Sequence, residues 1–523
     1  MRESLVDVLI VGGGTGGVAA ALAASSLGLS VVVTESSDWV GGQLTAQAVP
    51  PDEHPWIEQF GCTARYRAYR DGVRAYYREH TPLVSSARND LRLNPGGGWV
   101  SRLCHEPRIG HNVLKQMLQP GLAGGKLDLR LMRRPVSADA SGDEVQSVTF
   151  SNLLTGREET VRARYVLDAT ELGDLLPMTL TEYVSGAESK RDTDEPNAVE
   201  GSPEPDNVQG LTWCYALAYD DGSHRVIDRP SAYERWRSYR PDFWPGPLLG
   251  FDVLHAHTGE HRKLPLFSEN WYALFPYRQI VRPEVFETGY APHPVTIVNW
   301  PQNDYFEHSV IDVEEAIAEA RFQDAKQLGL SLLYWLQTEA PRHDGGVGYP
   351  GLYLRPDITG TEDGFAKTPY IRESRRICAR FTVLEQHVAA YTNEGSDRGA
   401  EFKDSVGVGA YRIDLHPSTS GANTIDTSTL PFQIPLGSLI PVRMRNLIAA
   451  GKCLGATHIT NGCYRLHPVE WNVGEAAGLL AGFCIKREVE PIQIAESAEL
   501  TAEFQNLLKV QGVELNWPRL HAL

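Results

Sequence analysis

An apolar run, Val6 to Val11, passes directly into Gly12-Gly13-Gly14-Thr15-Gly16-Gly17 and on into the small-residue stretch Val18 to Leu27. This G-x-G-x-x-G, placed between a strand and a helix, constrains the fold more than any other feature of the chain. It reads as a dinucleotide-binding turn. Gly12 permits the tight bend, Gly14 lets the backbone approach a pyrophosphate, and Gly17 lets the helix pack closely on the strand. Thr15 opens the helix, whose free N–H groups and dipole favour the diphosphate charge. A second apolar strand, Val31-Val32-Val33, ends at Glu35. That is within the ~20 residues at which an acidic side chain reaches the adenosine ribose.

Further segments indicate which dinucleotide. Glu35 is followed by a glycine pair and then Gln43 and Leu44, in Val40-Gly41-Gly42-Gln43-Leu44-Thr45. This resembles the early loop of FAD enzymes of the glutathione-reductase and fumarate-reductase type, in which backbone after the pair runs along the flavin's ribityl chain. Read from the residues alone, it is a turn that needs glycine for positive φ. Within Ala163 to Asp174, Ala169-Thr170 closes a strand like the A-T-G motif of such proteins, with Glu171 where many relatives have glycine. Asn446 to Lys452, containing Gly451, looks like their last flavin-contact strand. Asn472 to Gly478, containing Gly474, is expected to open a helix aimed at the isoalloxazine ring.

Tyr370 to Ile377, Tyr411 to His416 and Gly451 to Gly478 are similar to the bacterial FAD-dependent oxidoreductase family, whose substrates are largely unassigned. The resemblance implies an α/β fold class: a Rossmann-type, glutathione-reductase-like, discontinuous FAD-binding domain with an inserted α+β substrate domain. It implies one FAD, held without a covalent link, although His54 and the Cys104-His105 pair are of attachment-competent type. It speaks for fold and cofactor more than for substrate.

On this plan, residues 1–174 and 367–490 form the two parts of the FAD-binding domain, 175–366 the substrate domain and 491–523 a helical tail. A helix is expected around Asn112 to Leu118. Leu127 to Leu131, Val145 to Ser151 and Glu158 to Val161 read as a three-stranded meander broken by Ser141-Gly142 and Thr155-Gly156. Helices are expected over Val313 to Gln337 and Glu499 to Val510. Lys190 to Asn207, rich in Asp, Glu, Pro and Ser, reads as an exposed loop. A second match to G-x-G-x-x-G, Gly346 to Gly351, contains Pro350 and has no strand before it. It reads as a loop beside the active site, so one dinucleotide is expected and no separate NADPH domain.

Composition narrows the partners. The 523 residues carry 49 Lys and Arg against 66 Asp and Glu, a net charge of −17. This argues against nucleic acid, which is bound by clustered cations. No apolar run approaches the ~20 residues of a membrane span, and the first strand begins too soon for a signal peptide, so a cytoplasmic protein is expected. The seven cysteines include no C-x-x-C, which argues against zinc or a redox disulfide and for buried thiols. No metal is expected, and a homo-oligomer is compatible with everything read so far.

Oxidation by a flavin needs a proton acceptor near the ring, and histidine suits that near neutral pH. The densest candidate segment is Thr457 to Trp471. His458 or His467 is expected beside the flavin, Arg465 to position an anionic or carbonyl group, with Asn461 and Glu470 completing the substrate site; an Arg465–Glu470 tie is the alternative. In Arg372-Glu373-Ser374-Arg375-Arg376, a helix or tight turn would gather the three arginines on one face, where Arg372 and Arg375 bind a carboxylate or the diphosphate. His416 is a weaker substrate contact. Trp213, Tyr215, Trp271, Tyr272, Trp300 and Tyr305 suit stacking on a ring or filling a core. The expected function is an FAD-dependent dehydrogenase or oxidase taking a hydride from a polar small molecule, with oxygen or another compound as electron acceptor. The alternatives are a flavin monooxygenase or a non-catalytic flavin-holding protein.

Overall fold

The computed structural model describes residues 3–255, 258–268, 272–342, 344–422, 424–518, 520 and 523. Strands β1 (Glu3–Val11) and β2 (Val31–Glu35) pair in parallel, from Val8 opposite Val31 to Val11 opposite Thr34, and helix α1 (Thr15–Ser26) makes the crossover. Val8 to Val11 and Val31 to Val33 are continuous apolar runs within them, the pattern of parallel strands covered on two faces. Helix α2 (Pro107–Ala123) extends beyond the expected Asn112 to Leu118 at both ends. Pro107 starts it at the turn where a missing N–H is harmless.

The expected meander is corrected. Strand β3 (Leu127–Leu131) runs parallel to β2 and ends the main sheet. The meander is instead β4 (Arg133–Ser141), β5 (Glu144–Asn152) and β6 (Glu158–Asp168). Polar, alternating Arg133–Ser141 hid its strand because both its faces carry polar or small residues. β6 is one strand, so Glu158 to Val161 and the Ala-Thr strand are continuous.

The middle of the chain forms a four-stranded antiparallel sheet. Its strands β7 (Tyr215–Tyr219), β8 (Gln279–Val281), β9 (Val295–Val298) and β10 (Leu352–Leu354) lie in the order β8-β9-β7-β10. Helix α3 (Glu315–Thr338) buries Leu328, Leu332 and Leu336 on one stripe. These residues join a second apolar core with Tyr215, Trp300 and Tyr305. Trp271 lies outside the described residues. Most of Lys190 to Asn207 is exposed, as expected, but the segment is anchored: Ala187 bridges Glu204 and Ser189 bridges Val199. Within it Glu195 is fully buried, accepting from Thr457 Oγ1 at 2.6 Å and the Glu385 N–H at 2.7 Å. The segment Gly346 to Gly351 is a loop and lines neither cavity described below.

The chain returns through β11 (Ile413–Leu415) to β12 (Leu447–Ala449), which pairs in parallel with the C-terminal end of β6. The parallel strands thus run β3-β2-β1-β6-β12, a Rossmann-like order with the switch point beyond the C-terminal ends of β1 and β6. Helices α4 (His458–Tyr464), α5 (His467–Arg487) and α6 (Ala498–Val510) follow. α5 packs on α1 through glycine: a Cβ on Gly474 would lie 2.0 Å from the Gly16 carbonyl oxygen, and one on Gly478 2.4 Å from that of Ala20. Among the described residues no helix is long and apolar enough to cross a membrane.

Candidate active site

The first cleft lies at the switch point. Gly12 has φ +100°, and its missing Cβ leaves room for the Ala169 carbonyl oxygen, which would be 2.2 Å away. That close approach seats the Ala169-Thr170 turn on the glycine turn. The Gly41-Gly42 loop is tied to it: the Gly41 N–H donates to the Gly13 carbonyl at 2.7 Å and Thr15 Oγ1 donates to the Gly41 carbonyl at 3.0 Å. Both loop glycines have positive φ, 112° and 51°. Glu35 accepts from the Gly13 N–H at 2.9 Å, and burial raises its pKa. A cavity of about 250 Å³ is lined by Gly12, Glu35, Gly42, Ala169 and Thr170.

The remaining expected cofactor residues divide into two groups. Gln43 Nε2 donates to the Arg465 carbonyl at 3.0 Å and to Glu470; its Oε1, like that of Gln47, is buried without a partner. Leu44 is buried in the loop, and Gly451 abuts Glu470. Gly17 serves the close helix packing expected of it, and Gly474 serves packing as well. A Cβ on Gly17 would meet the Gly12 oxygen at 1.9 Å. Gly474 lies two turns inside α5, so the helix opens at His467 and not at Asn472 as expected.

A chain of buried charges runs through this cleft. Lys452 pairs with Glu171 and lies 3.6 Å from Glu470. Burial pushes Glu470 up to about 7 against the pull of Lys452, while the carboxylates of Glu171 and Glu470 raise Lys452 in spite of its burial. Glu171 Oε1 would lie 2.8 Å from a Cβ on Gly14 and 2.9 Å from one on Gly42. A carboxylate therefore stands between the two glycine loops. Asp168, beneath the Ala-Thr turn, is raised to about 7 by burial although Thr170 Oγ1 donates to it at 2.7 Å.

The expected catalytic segment separates into different environments. His467 Nδ1 accepts from the Asp52 N–H at 3.0 Å. Its proton therefore sits on Nε2, a buried donor with no partner. Burial holds its pKa down to about 3, so the ring is neutral. Arg465 donates to Tyr370 Oη at 2.7 Å and the Asp414 carbonyl at 2.9 Å; the alternative tie to Glu470 is not made. His458 belongs to a closed network away from both cavities. Its Nδ1 lies 2.9 Å from Glu373 Oε2, and Arg376 donates to Glu373 Oε1 at 2.5 Å. Burial opposes that charge, but His458 and Arg376 bring Glu373 down to about 2, and Glu373 raises His458.

The arginine cluster is corrected. Tyr370 to Arg375 is neither a helix nor a tight turn, and its side chains take separate partners. Arg372 takes Asp304 at 3.0 Å, Asn299 and Thr212. Arg375 takes Asp312 at 2.8 Å, and Arg376 takes Glu188. Asn461 Nδ2 donates to the Arg372 carbonyl at 2.9 Å, a backbone tie.

His416 lies in the wall of a second cavity, of about 210 Å³. Its Nδ1 is 2.6 Å from Asp304 Oδ2 and its Nε2 3.6 Å from Asp414 Oδ2. Asp304, fully buried, also accepts from Thr212 at 2.5 Å. Burial alone would raise its pKa, but Arg372 and His416 hold it low. The walls include Tyr277, Trp300 and Tyr411, with Arg278 and Asp414 at the polar end. Arg465 links the two cavities: its guanidinium holds Asp414, its carbonyl holds Gln43. Sequence reasoning missed Asp304, Arg278, Asp52 and Lys452. Only Asp414, two residues before His416 at the end of β11, carried a local signal.

Fold and site define a dinucleotide-dependent α/β protein with a second, aromatic cavity beside the nucleotide cleft. The chain matches the family described as FAD dependent oxidoreductase over residues 7–508 and belongs to that family; its cofactor is FAD. Over 206 residues it is 27% identical to hispidin-3-hydroxylase of Neonothopanus nambi, covering 39% of this chain and 48% of that one. It thus spans about half the length of that relative. Among solved structures it is similar to a geranylgeranyl bacteriochlorophyll reductase-like protein from Thermoplasma acidophilum, at 11% identity, covering 98% of this chain and 85% of that one, TM-score 0.33. It is also similar to OxyS anhydrotetracycline hydroxylase from Streptomyces rimosus, at 11% identity, covering 97% and 67%, TM-score 0.34. The residues present fit FAD: the glycine turns leave the cradle that a Cβ would fill, and buried Gln43 Oε1, Gln47 Oε1 and His467 Nε2 lack partners.

Proposed function

We propose that this protein is an FAD-dependent dehydrogenase or oxidase acting on a polar small molecule. The observation that carries this reading is the His416–Asp304 pair, 2.6 Å apart, in the wall of a cavity that Arg465 joins to the Gly41-Gly42 loop. Bound at the glycine turns, FAD supplies N5 as a hydride acceptor. Gly12, Gly14, Thr15, Glu35, Gly42, Gln43, Leu44, Ala169, Thr170 and Gly451 would hold it. Asp304 fixes the His416 proton on Nδ1 and leaves Nε2 to receive the proton that the substrate loses along with its hydride. Arg372 keeps Asp304 ionised in that role. His467, neutral with Nε2–H unpartnered at the start of α5, suits a hydrogen-bond donor better than a base. Arg465 positions Tyr370 and Asp414 between the two cavities. Oxygen or another compound is the electron acceptor.

The test is the absorbance of the purified protein, followed anaerobically as alcohols, sugars, amines and hydroxy acids are added. Bleaching of the flavin bands by one class supports the reading. A second reading, flavin monooxygenase, is favoured by the likeness to hispidin-3-hydroxylase. It predicts that no organic donor bleaches the flavin, that dithionite or an external reductase does, and that oxygen appears in the product.

A further inference from the structure

The second cavity carries a chemical preference of its own. Its walls are rings: Tyr277, Trp300 and Tyr411 face a space of about 210 Å³. That is room for about seven waters of liquid volume, the scale of one ring with a short substituent. Its charges are unbalanced. Arg372 is matched by Asp304 at 3.0 Å, and Arg465 is occupied by Tyr370 Oη at 2.7 Å and the Asp414 carbonyl at 2.9 Å. Among the described residues Arg278 pairs with one carboxylate, Asp52, at 3.4 Å, and its Nε has no partner. Arg262 donates to Tyr272 Oη at 2.8 Å and stacks on that ring. No carboxylate among the described residues lies within ion-pair reach of Arg262.

The unpartnered polar atoms in this wall are of one kind. Arg262 Nε, Arg278 Nε and Trp300 Nε1 are all donors. Buried donors without acceptors are costly, and three of them behind this wall add positive potential that favours an anionic ligand. A planar guanidinium held loosely by one carboxylate is matched to a second carboxylate in a forked geometry. Aromatic walls with one polar end are the ordinary construction of a small-molecule site.

We infer that this cavity is the substrate site and that it selects a small cyclic carboxylate, its ring among Trp300, Tyr277 and Tyr411 and its carboxylate on Arg278, with Arg262 adding positive charge. This rests on the oxidoreductase reading above only for calling the ligand a substrate; the binding preference stands on the cavity itself. The aromatic residues expected from sequence to stack on a ring divide accordingly: Tyr272 lines the cavity, Trp300 belongs to the second core and lines the cavity from it, and Tyr215 and Tyr305 are core alone.

The test uses the FAD-loaded protein and two probes of equal shape, benzoate and benzamide, read by tryptophan fluorescence and by the flavin difference spectrum. Benzoate is expected to bind at least about tenfold more tightly than benzamide. Arg278→Met should erase that preference and Arg278→Lys retain part of it. Should Arg278→Met fail to fold, Arg262→Met, at a more exposed position, should still weaken benzoate at least about threefold and leave benzamide unchanged. Equal binding of the two probes, or unchanged preference in Arg278→Met and Arg262→Met, overturns the inference. So does a neutral compound that bleaches the flavin without competition from benzoate, an outcome that leaves the oxidoreductase reading intact. Selective benzoate binding with no cyclic hydroxy acid able to bleach the flavin supports the site and counts against the reaction.

Discussion

Gly474 tests whether the nucleotide cleft depends on the contact between α1 and α5. A Cβ there would lie 2.0 Å from the Gly16 carbonyl oxygen, and 2.5 Å from the Gly16 carbonyl carbon and Cα. Ordinary contact begins at 3.4 Å, so Gly474→Ala is short by about 1.4 Å against backbone on both sides. Neither neighbour is a side chain that can rotate away. Overpacking costs about 1–3 kcal/mol, and rigid backbone on both sides puts this case at the upper end. Alanine's better helix propensity returns roughly 0.5–1 kcal/mol. The expected net loss is therefore about 2 kcal/mol. Because Gly16 lies in the first turn of α1, the helices can separate only by shifting the glycine turn. FAD affinity should then fall at least about tenfold, which corresponds to about 1.4 kcal/mol. Gly28→Ala is the control: Gly28 has φ +85° with nothing within 4 Å of its Cβ, so only backbone strain of about 1–2 kcal/mol applies. Urea midpoints and FAD titrations of both variants decide the matter. If Gly474→Ala loses no more stability than Gly28→Ala and binds FAD like the parent protein, the contact does not support the cleft.

Four further outcomes follow from the charged residues. Glu171→Gln removes a carboxylate standing between Gly14 and Gly42; partial exposure discounts the repulsion, and FAD should bind about tenfold more tightly by equilibrium dialysis, with riboflavin unchanged because it lacks the diphosphate. Burial raises Glu195 to about 7 in the folded protein, so its contribution to stability is fully present below pH 4.5 and is lost as pH rises through 7. Glu195→Gln should therefore gain on the parent protein by about 3 kcal/mol in denaturant titrations between pH 4.5 and 8. His416→Gln should slow flavin reduction by at least about 100-fold and also lower the urea midpoint, because it removes a partner of buried Asp304. His458→Gln should lose about 3 kcal/mol as it breaks a buried pair with Glu373, yet leave reduction within a few-fold.

The nucleotide cleft was legible because its physics is local. A diphosphate seat needs missing Cβ atoms at fixed intervals, and Gly12 to Gly17, Gly41-Gly42 and Glu35 carry that requirement within one stretch of chain. The substrate cavity offered no such handle. Asp304 reaches His416 across 112 residues and Arg278 reaches Asp52 across 226, and each pairing is set by how the middle sheet docks against the returning chain. Proximity in sequence also misled. Arg372, Arg375 and Arg376 looked like one anion site, yet their backbone is not helical, and each guanidinium takes its own carboxylate. His458 had every outward mark of a catalytic base except the one that matters, an open face: Glu373 and Arg376 close its surroundings, whereas His416 keeps one nitrogen on a cavity wall. A histidine's role here follows from which partners remain after the fold has satisfied its own buried charges, and that remainder exists only in three dimensions.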